Sequence, residues 1–131
     1  MTASIRLAIL AVSLLALAGC SIHVKGKDGA DGRDGRLVQI ERDNRLALES
    51  LRPGMGLREV QGVMPHEPDF SEALTVDGAS YRALFYRTQR VARDGAITRD
   101  ETTPLVFRNA ELTGWGETVW SELTGRPLAG E

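Results

Sequence analysis

Residues 7–17, LAILAVSLLAL, form an unbroken uncharged run, and the chain's single cysteine, Cys20, lies just beyond it. The run has about half of the roughly 20 apolar residues needed to span a bilayer. Its length is that of a signal-peptide apolar region, about 7–15 residues. Arg6 and the α-amino group put positive charge before it, and the small residues Ala18 and Gly19 follow it. Residues 1–19 therefore read as a signal peptide. What is left to fold holds one cysteine, so no internal disulfide can staple it. Its core must come from packing alone.

The four residues Leu17-Ala18-Gly19-Cys20 resemble the bacterial lipobox. The resemblance implies that the chain is cut between Gly19 and Cys20, that the Cys20 thiol carries diacylglycerol and that its amine, once freed, carries a fatty acyl chain such as palmitate. No other cofactor and no metal is expected. Each buried acyl methylene contributes about 0.8 kcal/mol, and one chain binds only marginally, so two or three chains on one residue anchor the protein firmly. In bacterial sorting signals of this kind an Asp after the cysteine favours the inner membrane. Ser21 stands there instead, which implies the outer membrane, periplasmic face.

Arg6 is the only charged side chain in residues 1–19, so the mature chain is one charge more negative than the formal −2 of the whole. Such a balance gives no electrostatic footprint for nucleic acid. After Cys20 comes GKDGADGRDGR, residues 26–36, with Gly26, Gly29, Gly32 and Gly35 at every third position. It lacks the proline and the length of a collagen helix. Asp28, Asp31 and Asp34 do not follow calcium-loop spacing, and Lys25, Lys27, Arg33 and Arg36 offset them. Residues 20–36 thus read as the lipidated cysteine and a flexible tether. Residues 37–131 form one domain of about 95 residues, enough for one small core.

Within that domain the pattern predicts an α+β fold. Two N-terminal helices pack on an antiparallel meander of three to four strands, and a short helix closes the chain. Ala47, Leu48 and Leu51 have helical spacing, Asp43 or Asn44 can cap a start, and Pro53-Gly54 stops it. A second helix starts at Gly56, with Glu59 placed as in a capping box. It presents Leu57, Val60, Val63 and Met64 and ends at Pro65. The period then changes to two. FSEALTVDG reads as a strand turning at Asp77-Gly78, and YRALFYRTQRV, residues 81–91, as the longest strand. Asp94-Gly95 marks a turn. TPLVFRN and ELTGWG read as strands joined at Asn109-Ala110, with Pro104 at a strand start or an edge. ETVWSELTG is a helix with Val119, Trp120 and Leu123 on one side and Gly125 at its end.

LRPGMGLREVQGVMPHEPDF resembles the helical half of the small outer-membrane lipoproteins of the SmpA/OmlA (BamE-like) type, with Gly54, Met55, Val60 and Pro68 on the matching outline. YRALFYRTQRVARDG and TPLVFRNAELTGWG are more similar to a family of uncharacterised Gram-negative envelope lipoproteins. The resemblance covers most of residues 44–116 and the lipobox. It implies the fold, with two helices on one face of an antiparallel sheet, and no reaction. The Gly/Asp linker and GWGETVW lie outside the BamE-like pattern, so membership of an outer-membrane assembly machine is not implied.

No catalytic set is expected. There is no GxSxG elbow and no phosphate-cradling glycine loop. His23 lies in the tether, and His66 with Glu67 and Asp69 falls short of a zinc set. Asp100-Glu101 reads as surface. The candidate site is instead one of partner binding. In residues 81–91 both strand faces carry apolar side chains, and the leading helices can cover only one. The other would hold Leu84, Tyr86 and Val106, rimmed by Arg82, Arg90 and Arg108. That is an interaction signature for another envelope protein. Alternatively the last helix covers that face through Val119, Trp120 and Leu123. The expected function is a non-enzymatic adaptor or scaffold; the other reading is a small-ligand or lipid-sensing module with a pocket between sheet and helices.

Overall fold

The computed structural model describes residues 28–129. The signal segment, Cys20 and the first part of the expected tether lie outside the described residues. The elements are α1 (Asp28–Leu48), α2 (Leu57–Val63), β1 (Phe70–Val76), β2 (Ala79–Arg87), a 3-10 turn (Arg99–Glu101), β3 (Thr102–Arg108), β4 (Glu111–Trp115) and α3 (Glu117–Thr124). The four strands form one antiparallel sheet in the order β1-β2-β3-β4. The fold is α+β, with the short C-terminal helix the sequence predicted.

Two hairpins set the register. Asp77 and Gly78 have φ of 49° and 76°, the double positive φ of a two-residue turn whose twist matches the strands it joins. Asn109 and Ala110 repeat it at 51° and 62°. Alanine is disfavoured there by about 1–2 kcal/mol. The position is held because the Ala110 carbonyl accepts from Leu57 N at 2.8 Å. α2 starts after Gly56 as expected, and Glu59 Oε2 accepts from Gly56 N at 3.3 Å.

Each sheet face has its own core. Leu84, Tyr86, Leu105, Phe107 and Leu112 pack against Leu51, Val60 and Met64 of the leading helical segment. On the opposite face Ala83 and Phe85 pack against Trp120 and Leu128. Phe85 and Trp120 meet edge to face, ring centroids 5.1 Å apart. α3 comes so close to β4 that a Cβ at Gly114 would lie 3.2 Å from Val119 Cγ2.

Three expectations about the elements change. First, α1 begins at Asp28 rather than near Asp43, so the second part of the expected tether is helical. Each glycine costs a helix about 1 kcal/mol relative to alanine. Tertiary contact offsets this: Arg90 Nη2 donates to the Asp34 carbonyl and Arg90 Nη1 lies 3.3 Å from Asp34 Oδ2. Second, β2 ends at Arg87 and residues 88–98 form a loop. Third, Pro104 sits in central β3, opposite Phe85. Its carbonyl accepts from Gly116 N at 2.9 Å, on the side of β4 just past that strand's last residue. A residue's N–H and C=O point the same way in a strand, so the missing donor falls where the β4 ladder has already stopped.

The 88–98 loop and α1 are tied to the sheet by ions. Arg87 and Glu101 are each 1% exposed. Arg87 Nε donates to Glu41 Oε1 of α1 at 2.9 Å, and Arg87 Nη1 lies 2.9 Å from Glu101 Oε2. Glu101 Oε1 also accepts from the amides of Val91 and Ala92 at 2.8 and 3.2 Å. Glu101 is therefore buried, not a surface carboxylate. Removing one partner of such a set strands the other charges away from water, at about 3–5 kcal/mol. Arg87→Met should lower unfolding stability by that amount in a urea titration. A loss below about 1 kcal/mol would mean that the cluster is only decorative.

Candidate functional site

The sheet has two ends, and they are covered differently. At the end where β2 finishes, α1, the ion cluster and Trp120 close over the strands. At the hairpin end, marked by Asp77-Gly78 and Asn109-Ala110, coverage stops short and leaves a groove on each face. On the α2 face, Leu57, Ala73, Arg82, Phe107, Asn109 and Ala110 are among the residues lining a groove of about 380 Å³. The register explains its floor. Ala73 pairs with Arg82, and Arg82 with Phe107, so the three side chains form one row across β1, β2 and β3.

On the α3 face, Val106, Arg108, Thr113, Val119, Glu122 and Leu123 line a second groove, of about 460 Å³. A bulge shapes it. Between β3 and β4 the register shifts by one at Val106/Phe107, and the extra residue Thr113 turns its hydroxyl to donate to the Val106 carbonyl at 2.9 Å. Tyr81 borders both grooves, and the Arg108 guanidinium lies 5.8 Å from its ring centroid. Arg82 is exposed, and among the described residues none supplies it an ion pair, hydrogen bond or ring contact.

The six candidate partner-binding residues are therefore dispersed. Leu84 and Tyr86 are buried under the leading helices. Val106 is 1% exposed and lies on the other face, paired with Ala83. The expected open face built on these three side chains does not exist as such, because each face has its own helical cover. Arg90 belongs to the far end, against Asp34 and Glu41. Arg82 and Arg108 do meet at one end of the sheet, on opposite faces. Burial of Trp120, a residue of α3, against the sheet accords with the alternative that the last helix covers a face, though the face it covers is that of Ala83 and Phe85, not of Leu84 and Tyr86. Sequence reasoning missed Leu57, Ala73, Tyr81 and Asn109 as groove residues. Only the cross-strand register brings them together.

A third recess, about 440 Å³, is lined by Gln61, Met64, Pro65, His66, Glu67 and Tyr86. His66 Nε2 lies 3.3 Å from Asp43 Oδ2. Burial, with the Glu67 charge adding to it, pushes the Tyr86 hydroxyl up to about 12, so it stays protonated at any physiological pH. Among the described residues no three His, Cys, Asp or Glu side chains stand as a metal-holding group.

At the outer edge of the sheet Glu72 of β1 takes Arg99 Nη1 and Arg126 Nη2, each at 2.7 Å. Desolvation works to raise its carboxyl, but the bonds from Arg126 and Arg99 outweigh it and hold the group below its ordinary 4.5. A depressed carboxylate stabilises the fold above its unfolded value, and that stabilisation fades as pH falls through the folded value. Thermal midpoints of the wild type should therefore drop more steeply below about pH 4.5 than those of Glu72→Gln. Parallel curves would remove this carboxylate from the acid response.

A family model described as "Protein of unknown function (DUF3192)" matches residues 18–122. No curated protein and no solved structure matches the chain.

Proposed function

The chain belongs to this DUF3192 family, and from that premise we propose that it is an outer-membrane-anchored periplasmic lipoprotein that acts as a non-enzymatic adaptor for another envelope protein. The observation that carries the docking part is the half-covered hairpin end of the sheet. There, half-buried Leu57 and Val119, above the buried Phe107 and Val106, lie beside Arg82, Arg108 and Tyr81. Aromatic residues and arginine are enriched at binding surfaces, and an apolar floor with a cationic rim supplies both burial and orientation. The likeness to the SmpA/OmlA (BamE-like) lipoproteins supports the same reading. The family match also begins two residues before Cys20 and takes in the lipobox cysteine.

The anchor has a direct test. A fatty-acid analogue fed to cells should label the wild type and not Cys20→Ser. Equal labelling of both would end the lipoprotein reading.

The docking surface has its own. A photo-crosslinking residue at Asn109, beside the α2-face groove, should give a discrete adduct with an envelope protein in intact cells. The same residue at exposed Val91, beyond the other end of β2, should not. Arg82→Glu should weaken the Asn109 adduct. Equal adducts at both positions would leave the hairpin end without a special role. A second reading, a small-ligand or lipid-sensing module, draws on the size of the α2-face groove. At about 380 Å³ it falls within the range of small-molecule sites, about 300–1,000 Å³. Extraction of a defined small molecule with the purified chain would favour it.

A further inference from the structure

The two edges of the sheet are treated differently. The outer edge of β4 is closed by residues 54–57. Gly54 N donates to the Leu112 carbonyl at 2.7 Å, Leu112 N to the Met55 carbonyl at 2.8 Å, and Leu57 N to the Ala110 carbonyl at 2.8 Å. Among the described residues, β1 pairs with β2 alone and nothing pairs with its outer edge. Open edges in folded proteins are ordinarily blunted by proline, by lysine and other charges, by bulges, by shortness or by a covering segment, because they template further strands. FSEALTV has neither proline nor lysine and runs for seven residues. Its only charge, Glu72, is already neutralised by Arg99 and Arg126. Among the described residues the edge is left pairable.

The row behind that edge says what side chain it suits. Ser71, Ala73 and Thr75 share the α2 face of β1 and are exposed. Behind Ala73 stands Arg82, then Phe107. A strand added to β1 would place one side chain directly opposite Ala73, about 4.5–5.5 Å away by Cβ. The alanine methyl is too small to screen Arg82 from it. An acidic side chain there meets the exposed guanidinium across Ala73 and enters the mouth of the groove. A second copy of this chain fits less well: two-fold pairing about Ala73 would bring two copies of Arg82 toward each other with no anion between them.

We propose that β1 accepts an extended segment of the partner as a fifth strand, with an acidic side chain facing Ala73 and held by Arg82. This inference rests on the adaptor reading and names how that partner is gripped. Main-chain hydrogen bonds would give the affinity and the Ala73–Arg82 row the selectivity, as in other strand-addition complexes.

The test uses the full chain and a random-peptide phage library. Selected peptides should carry an Asp or Glu within an alternating β-type pattern. Their binding should slow amide exchange in Phe70–Val76 and leave β4 unchanged. Arg82→Glu, a change at an exposed position, should weaken them about tenfold, the scale of one charge-assisted hydrogen bond. Replacing the peptide's acid by Lys should restore binding to that variant. Three results would overturn the proposal: no peptide selected above background, peptides that bind Arg82→Glu undiminished, or β1 protected by self-association without peptide. If any of these occurs while Asn109 still crosslinks to a partner in cells, the docking reading stands and strand addition alone falls.

Discussion

The domain depends on one buried guanidinium. Arg87 ends β2 and holds Glu41 of α1 on one side and Glu101 of the 3-10 turn on the other. Its own carbonyl accepts from Asn44 Nδ2 of α1 at 2.8 Å, its amide donates to Asp69 Oδ2 at 2.8 Å, and the next carbonyl, of Thr88, accepts from Arg45. A single residue thus joins the long helix, the start of β1 and the 88–98 loop. Burial raises the Asp69 carboxyl, while the Arg87 amide bond and charge oppose that rise. A buried charge set often contributes no more net stability than an apolar one of equal shape, but its bonds are directional. Here they tie α1 to the end of β2, alongside the packing of Ala47 and Leu48 on the core.

That placement leaves a division of labour between the ends of the sheet. One end is tied by ions and capped by Trp120, where Arg99 stacks 4.4 Å from the Phe85 ring centroid and Arg126 5.1 Å from that of Trp120. The other end is two tight hairpin turns with grooves on both faces. Helices that short cannot cover four strands along their whole length. α2 spans Leu57–Val63 and α3 Glu117–Thr124, about two turns each at 1.5 Å per residue. The half-covered rows, in which Ala73 and Arg82 stand exposed beside buried Phe107 and Tyr81 beside exposed Arg108, follow from that shortage.

Much of the local structure was legible in the residues. Gly56 before an apolar face with Pro65 after it, Asp77-Gly78 and Asn109-Ala110 between alternating runs, and Gly125 after Trp120 each act within a few positions of the chain. Gly125 has φ 69° and ends α3 in the left-handed conformation, as glycine there favours. The site was less legible. Alternation along β2 and β3 points to Arg82 and Arg108 but places them with Leu84, Tyr86 and Arg90, because alternation along one strand does not reveal what covers each face.

The sequence alone determined the class of fold, the hairpin turns and the ends of the short helices, since those depend on backbone preferences and steric limits of neighbouring residues. The tertiary structure decided three other things. It made residues 28–36 helical through Arg90 and Asp34, which are 56 positions apart. It buried Glu101 beside Arg87, where composition suggested a surface loop. It also left the outer edge of β1 unpaired among the described residues, while β4 was closed by residues 54–57. Each turns on partners distant in the chain, and the free energy of burying a charge or pairing an edge is set by what arrives from elsewhere, not by the residue itself.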